Sequence, residues 1–237
     1  FLNLFFQLLY REKKQDSFKY TGLNKIITKN LKYYNLIRDV YSRFVGLSYS
    51  SSSMGTDYIF YNTLIKYILK HKPKFILELG SGYTTYLMGT LIQDYNLDTK
   101  LLSLENDKKW YDWIKNEKLD VLNSVVMSDI KSWERDGEIF VKYTYDYDMD
   151  EVDFVLLDGP GYFEYDGLIR KNSIQYNYYE LISYKNLPVD VLIDGRELTK
   201  KFYESEFKKR GWSDTHIKFQ EITWMIEDGE GGINLYE

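Results

Sequence analysis

The chain has 237 residues, 44% of them hydrophobic and 28% charged, a balance that fits a globular domain and excludes wholesale disorder. Its formal charge of −5 argues against a nucleic-acid backbone as the main partner. The absence of cysteine removes disulfides, thiolate metal sites and Cys nucleophiles, and it suits a reducing, cytoplasmic setting.

The opening stretch FLNLFFQLLYREKK is apolar, then basic. It falls short of the ~20 residues a membrane span requires, and no other stretch reaches that length. An amphipathic helix packed on the domain or a partner is favoured over the stump of a targeting segment. The pattern LNKIITKNLKYYNLIRDVYSRFVG continues as helix, which defines an N-terminal helical extension over residues 1–50 and a main domain over 51–237. The Ser/Gly-rich SYSSSSMGTD (48–57) reads equally as a plain linker or as a lid that brings Met54 or Asp57 over a ligand. YIFYNTLIKYILKHKP has helical spacing and stops at Pro73.

From Pro73 onward, short apolar runs alternate with helical patterns. FILELG (75–80), KLLSLEND (100–107), NSVVMSD (123–129), DFVLLDGP and VDVLIDGR (189–196) predict strands. YTTYLMGTLIQDY, KKWYDWIKNEK, LIRKNSIQYNYYELISY and ELTKKFYESEFKKRG predict helices, and the acidic-aromatic YTYDYDMDEVD (143–153) predicts a surface loop. The tail, HIKFQEITWMIED and INLYE, reads as an antiparallel pair of strands at one edge. The alternation predicts an α/β fold: a mostly parallel sheet, seven-stranded with the tail, with helices on both faces.

Ligands of open α/β sheets bind outside the carboxyl ends of the strands. Each predicted central strand ends there in an acid: Glu78 before Gly80-Ser81-Gly82, Glu105 before Asn106-Asp107, Asp129 after Ser128, Asp158 before Gly159-Pro160, and Asp194 before Gly195-Arg196. Gly80 and Gly82 permit a sharp turn and a close backbone approach to a ligand. Thr85 stands where a G-x-G-x-x-G fingerprint has its third glycine, which disfavours a dinucleotide. Glu105, about two dozen residues past the turn, is placed to accept hydrogen bonds from both ribose hydroxyls, so a nucleoside ligand is expected. Of the two histidines, His71 precedes the first central strand and His216 lies near the start of the tail strands, so both read as structural or surface groups. A general base must then be a carboxylate, and Asp158 is the best placed. Arg196 and Arg170 suit a carboxylate-bearing acceptor, although Arg170 serves equally in a surface salt bridge. Tyr162, Phe163 and Tyr165 can stack on a sugar face, form a lid or pack the loop.

The combination ELGSG, LEND and DFVLLDGP, over residues 55 to 237, resembles the class I methyltransferases that use S-adenosylmethionine. That resemblance implies a Rossmann-like fold. Gly80 and Gly82 would flank the methionine part, with Ser81, Thr84 and Thr85 in the same loop. Glu105 would hold the ribose with Asn106 beside it, and Ser128 and Asp129 would lie by the adenine. Glu78 would orient the loop or the amino group. A narrower likeness, in LLSLENDKKWYDWI, DFVLLDGPGYF and YESEFKKRGW, is to the glucuronoxylan 4-O-methyltransferase family. The chain departs from that family at the cofactor turn, where Tyr83 and Thr84 replace a His-Asp pair. Asp158 and Asp194 also resemble the Mg²⁺ ligands of catechol-type O-methyltransferases, with Gly195 in place of an Asn; a divalent metal on Asp158 and Asp194 is therefore a candidate. The expectation is an O-methyltransferase acting on a sugar or glycan hydroxyl, with Asp158 as base or metal ligand and Arg196 orienting an acidic acceptor. Its rivals are an N-methyltransferase or aminopropyl transferase on the same fold and a non-catalytic nucleoside-binding module.

Overall fold

The computed structural model describes residues 31–45, 58–116, 120, 123–170 and 173–220. The amphipathic opening, the Ser-rich segment and the stretches ITWMIED and INLYE lie outside the described residues.

Helices α1 (Leu31–Val45) and α2 (Tyr58–His71) precede β1 (Phe75–Leu79), α3 (Tyr83–Asp94), β2 (Lys100–Glu105), α4 (Lys108–Asn116) and β3 (Val125–Met127). There follow β4 (Ile130–Arg135), β5 (Glu138–Tyr143), β6 (Phe154–Leu157), β7 (Phe163–Tyr165), β8 (Leu168–Arg170) and β9 (Ile174–Gln175). The chain then forms α5 (Asn177–Lys185), β10 (Asp190–Asp194), α6 (Glu197–Arg210) and β11 (Ile217–Gln220). Strands β3-β2-β1-β6-β10-β11 form a six-stranded sheet in that order, with every pairing parallel. The order 3-2-1-4-5-6 is that of doubly wound nucleotide-binding sheets, whose crevice opens where the winding reverses, here between β1 and β6.

The five predicted central strands form at their expected places. The sheet has six strands among the described residues, however, where seven were expected. At the edge, β11 pairs parallel with β10; the expected antiparallel partner, INLYE, lies outside the described residues. Helix α6 carries the chain back to the amino end of the sheet before β11 begins, and such a crossover yields a parallel neighbour.

Strand periodicity sorts the core into two layers. Ile76, Phe154, Leu156 and Leu192 face one side, packed with α1, α2 and α3. Phe75, Leu77, Leu79, Val155, Leu157, Val191 and Ile193 face the other, packed with α5 and α6. Both faces are covered, so β1 and β6 are buried at every residue and read as unbroken apolar runs. Helix α1 belongs to this core: Ile37, Val40 and Phe44 are buried in the first layer, and the Tyr83 hydroxyl donates to the Ile37 carbonyl at 2.9 Å.

Two segments differ from expectation. The predicted helix over 168–184 is helical only from Asn177; Leu168–Arg170 pairs with β7, and Ile174–Gln175 pairs with β5. A β4–β5 hairpin also stands where the sequence reading assigned no element. The signal for both hairpins is Asp-Gly. Asp136 and Gly137 have φ of 55° and 80°, and Asp166 and Gly167 have 53° and 69°. Positive φ at both central residues is the type I′ turn that Asp-Gly favours, and two such residues close each hairpin.

Candidate active site

Parallel register assembles the site. Leu79 is level with Leu104 and with Leu157, and Leu157 is level with Ile193. One residue further on, at the carboxyl ends, Glu105, Gly80, Asp158 and Asp194 therefore stand in one row across four strands. The ladder continues that far, since the Gly80 amide donates to the Leu104 carbonyl and the Asp158 amide to the Leu79 carbonyl, each at 2.9 Å. Side chains alternate along a strand, so Glu78 shares a face with Ile76, Asp158 with Leu156 and Asp194 with Leu192, all toward α3. Two strand spacings, about 10 Å, separate Glu105 from Asp158, and the residue between them has no side chain.

Glu78 is fully buried beneath the first turn of α3. It accepts from Thr85 Oγ1 at 2.6 Å and from the hydroxyls of Ser103 and Thr84. Burial raises its carboxyl from the ordinary 4.5 to about 7, against the pull of these hydroxyls, with nearby Glu105 adding to the rise. Thr84 Oγ1 also lies 3.0 Å from Asp158 Oδ2. One hydroxyl proton cannot serve two carboxylates, so this chain of contacts is complete when a carboxyl holds a proton. Asp158 is held well above the usual carboxylate range by burial first, then by the adjacent Asp194, which it meets in charge and in hydrogen bonding, and by Glu78; Arg196 opposes.

Glu105 is buried at the end of β2 and also raised by burial. Ser81 Oγ donates to one carboxylate oxygen at 2.6 Å, and the amides of Asn106 and Asp107 donate to the other at 2.8 and 2.7 Å. The glycine turn is shaped by two different demands. A Cβ on Gly80 would lie 2.7 Å from the Gly159 amide nitrogen, so Gly80 is required by the backbone that follows β6. At Gly82 a Cβ would meet only the Trp110 ring, at 3.6 Å, and Trp110 Nε1 donates to the Ser81 carbonyl at 3.1 Å. Thr85, in place of the third glycine, accepts from the Gly82 amide at 3.0 Å while it holds Glu78.

Arg196 precedes α6, and its Nη1 donates to the Pro160 carbonyl at 3.1 Å. Its Nε is buried with no hydrogen-bond partner among the described residues, as is that of Arg170 on β8. Tyr162 is exposed on the loop after β6. Ser128 is committed locally: its hydroxyl donates to the Asp129 carbonyl and accepts from the amides of Thr144 and Tyr145. Asp129 is exposed past β3. Both histidines sit at the amino end of the sheet, His71 stacked on Tyr67 and His216 bonded to Asp190 at 2.7 Å. No group of three or more His, Cys, Asp or Glu among the described residues is arranged to hold a metal ion. Asp158 and Asp194 are the two hard oxygen donors a divalent cation would meet there.

Tyr143 was not singled out from the sequence, yet its hydroxyl lies 2.6 Å from where a Cβ on Gly159 would stand. Burial raises its phenol well above the ordinary value, with Glu105, Asp158 and Glu78 adding to the effect and Arg196 opposing it. Trp110 was passed over as an ordinary helix residue. The available signal was position: an aromatic in the first turn after β2 faces the neighbouring β1–α3 turn.

Glu78 gives the site a measurable signature. Above pH 4.5 the unfolded chain releases this proton while the folded protein keeps it, so stability falls as pH rises until about 7, then levels. The span is about 3 kcal/mol. Urea unfolding across this range should show wild type losing about that much relative to Glu78→Gln. Parallel pH profiles for the two proteins would contradict the assignment.

A carboxylate ends β2 beside a glycine turn, and the row continues through the carboxyl groups of Asp158 and Asp194. Comparison of the chain with known proteins finds no matching family model, no matching curated protein and no matching solved structure. Among the described residues, no helix is long and apolar enough to cross a membrane.

Proposed function

We propose that the protein is an S-adenosylmethionine-dependent O-methyltransferase of the class I type, acting on a hydroxyl of a sugar or glycan. The observation that carries the reading is the register-built row Glu105–Gly80–Asp158–Asp194 across the reversal point of the sheet. Bound there, S-adenosylmethionine supplies a methyl group activated on a sulfonium cation. Glu105 accepts from the ribose hydroxyls, while Ser81 and the α3 turn line the amino-acid end. The paired carboxyl groups of Asp158 and Asp194 give that end the negative character a cation prefers. Asp158, with Asp194 beside it, is the group placed to take the proton of the acceptor hydroxyl. Arg196, whose Nε has no hydrogen-bond partner among the described residues, is the guanidinium that would meet an acidic acceptor group. A divalent ion on the same two carboxylates, which end the adjacent strands β6 and β10, is the second form of this reading.

Methyl transfer from labelled donor to uronic-acid-containing and neutral oligosaccharides tests the assignment. Asp158→Asn should lower turnover by about 10²–10⁴-fold. Arg196→Ala should raise KM for acidic acceptors above that for neutral ones. Activity untouched by Arg196→Ala would favour an amine acceptor instead. Loss of activity on chelation, restored by Mg²⁺, would select the metal form.

A further inference from the structure

The chain that leaves β6 is gripped by three separate elements. The carbonyls of Pro160, Tyr162 and Glu164, alternate along the chain, accept from Arg196 Nη1 at 3.1 Å, Asn106 Nδ2 at 3.3 Å and Ser132 Oγ at 3.2 Å. Arg196 follows β10, Asn106 follows β2, and Ser132 lies on β4. Since β10 and β2 flank the β6–β1 pair, this strap is held from both sides of the reversal point. Beneath it, Gly159 rests on Gly80, and the Tyr143 hydroxyl reaches Asn106 Oδ1 at 3.4 Å.

The amide of Asn106 is thus divided between the strap and Tyr143, while its backbone N–H donates to Glu105 at 2.8 Å. All three grips are near the long end of hydrogen bonding, so each is individually weak and readily broken. The strap exposes Tyr162 and continues into the hairpin that carries Arg170.

We infer that Asn106 and Ser132 are positioning residues that act through the Pro160–Glu164 strap, and that filling the nucleoside site is coupled to closure of this strap. The coupling rests on the proposed nucleoside site; the holding of the strap does not. When ribose hydroxyls engage Glu105, the residue bonded to that carboxylate is the one that grips Tyr162. Nucleoside binding therefore fixes the acceptor wall, and the acceptor binds second.

Hydrogen exchange read by mass spectrometry over residues 158–170 tests this, in the free protein and with saturating S-adenosylhomocysteine. One such bond is worth about a fivefold change in local opening. Asn106→Ala and Ser132→Ala should each speed exchange of the strap by about that factor, with β1 and β6 unchanged. S-adenosylhomocysteine should slow the strap in wild type and in Ser132→Ala, whose affinity for it stays within about twofold, but not in Asn106→Ala. Unchanged strap exchange in both variants, or faster exchange spread through β1 and β6, would overturn the positioning role. Equal slowing in Asn106→Ala and wild type would overturn the coupling. If wild type fails to bind S-adenosylhomocysteine, the nucleoside reading and the coupling fall together, and the free-protein comparison still decides whether these side chains hold the strap.

Discussion

Glu105→Ala is expected to weaken S-adenosylhomocysteine binding by about 100-fold or more. With Ser81 and two amides on three of its about four acceptor positions, Glu105 accepts a second ribose hydroxyl by displacing Ser81 Oγ. Each charge-assisted bond to the ribose is worth about 1.5–3 kcal/mol. Glu105 is also oriented before any ligand arrives, by Ser81 on one oxygen and two backbone amides on the other. An oriented, buried acceptor loses little entropy on binding, which is why its removal should be costly. Calorimetric titration of the variant, with thermal unfolding as a check on its fold, measures the effect. Binding within threefold of wild type would remove Glu105 from the site.

The second large effect falls on the backbone contact between β1 and β6. Gly80 has φ of 110°, and an added Cβ would come within 2.9 Å of three backbone atoms of Asp158 and Gly159. Backbone atoms in two buried parallel strands cannot move aside as a side-chain tip can. Gly80→Ala should therefore cost about 3 kcal/mol or more, or prevent folding outright. Gly159→Ala should behave alike, since its Cβ would meet Gly80 Cα at 2.5 Å and the Tyr143 hydroxyl at 2.6 Å. Gly161 is two residues away and has no atom within 4 Å of such a Cβ, so Gly161→Ala should stay within about 0.5 kcal/mol. Denaturant midpoints of the three variants decide the matter; equal midpoints would refute the contact.

These glycines mark the boundary of what the sequence could express. FILELG and DFVLLDGP announce buried parallel strands, because strands covered on both faces must be apolar throughout. Their terminal acids could be assigned to the carboxyl rim because α/β alternation fixes strand direction. Register, however, is a relation between strands, and no single stretch encodes that Gly80 lies level with Glu105 and Asp158. Gly80 was accordingly read as room for a ligand, whereas its missing Cβ makes room for Gly159. Tyr143 escaped notice for a related reason. It reaches the site from a hairpin inserted between β3 and β6, and the Asp136-Gly137 turn that signals this hairpin went unread. The helix expected over 168–184 failed by the same omission at Asp166-Gly167, where a periodic apolar pattern concealed a turn. Ser132 and Asn106 could not be recognised as grips on the strap from their own neighbours, because each acts on a carbonyl more than thirty residues away.

Calorimetric titration of the wild-type protein with S-adenosylmethionine, run beside NAD under the same conditions, tests the central claim most directly. The row from Glu105 to Asp194 predicts saturable one-site binding of S-adenosylmethionine at micromolar concentration and none of NAD. Absence of S-adenosylmethionine binding at millimolar concentration, or tighter binding of NAD, would contradict it.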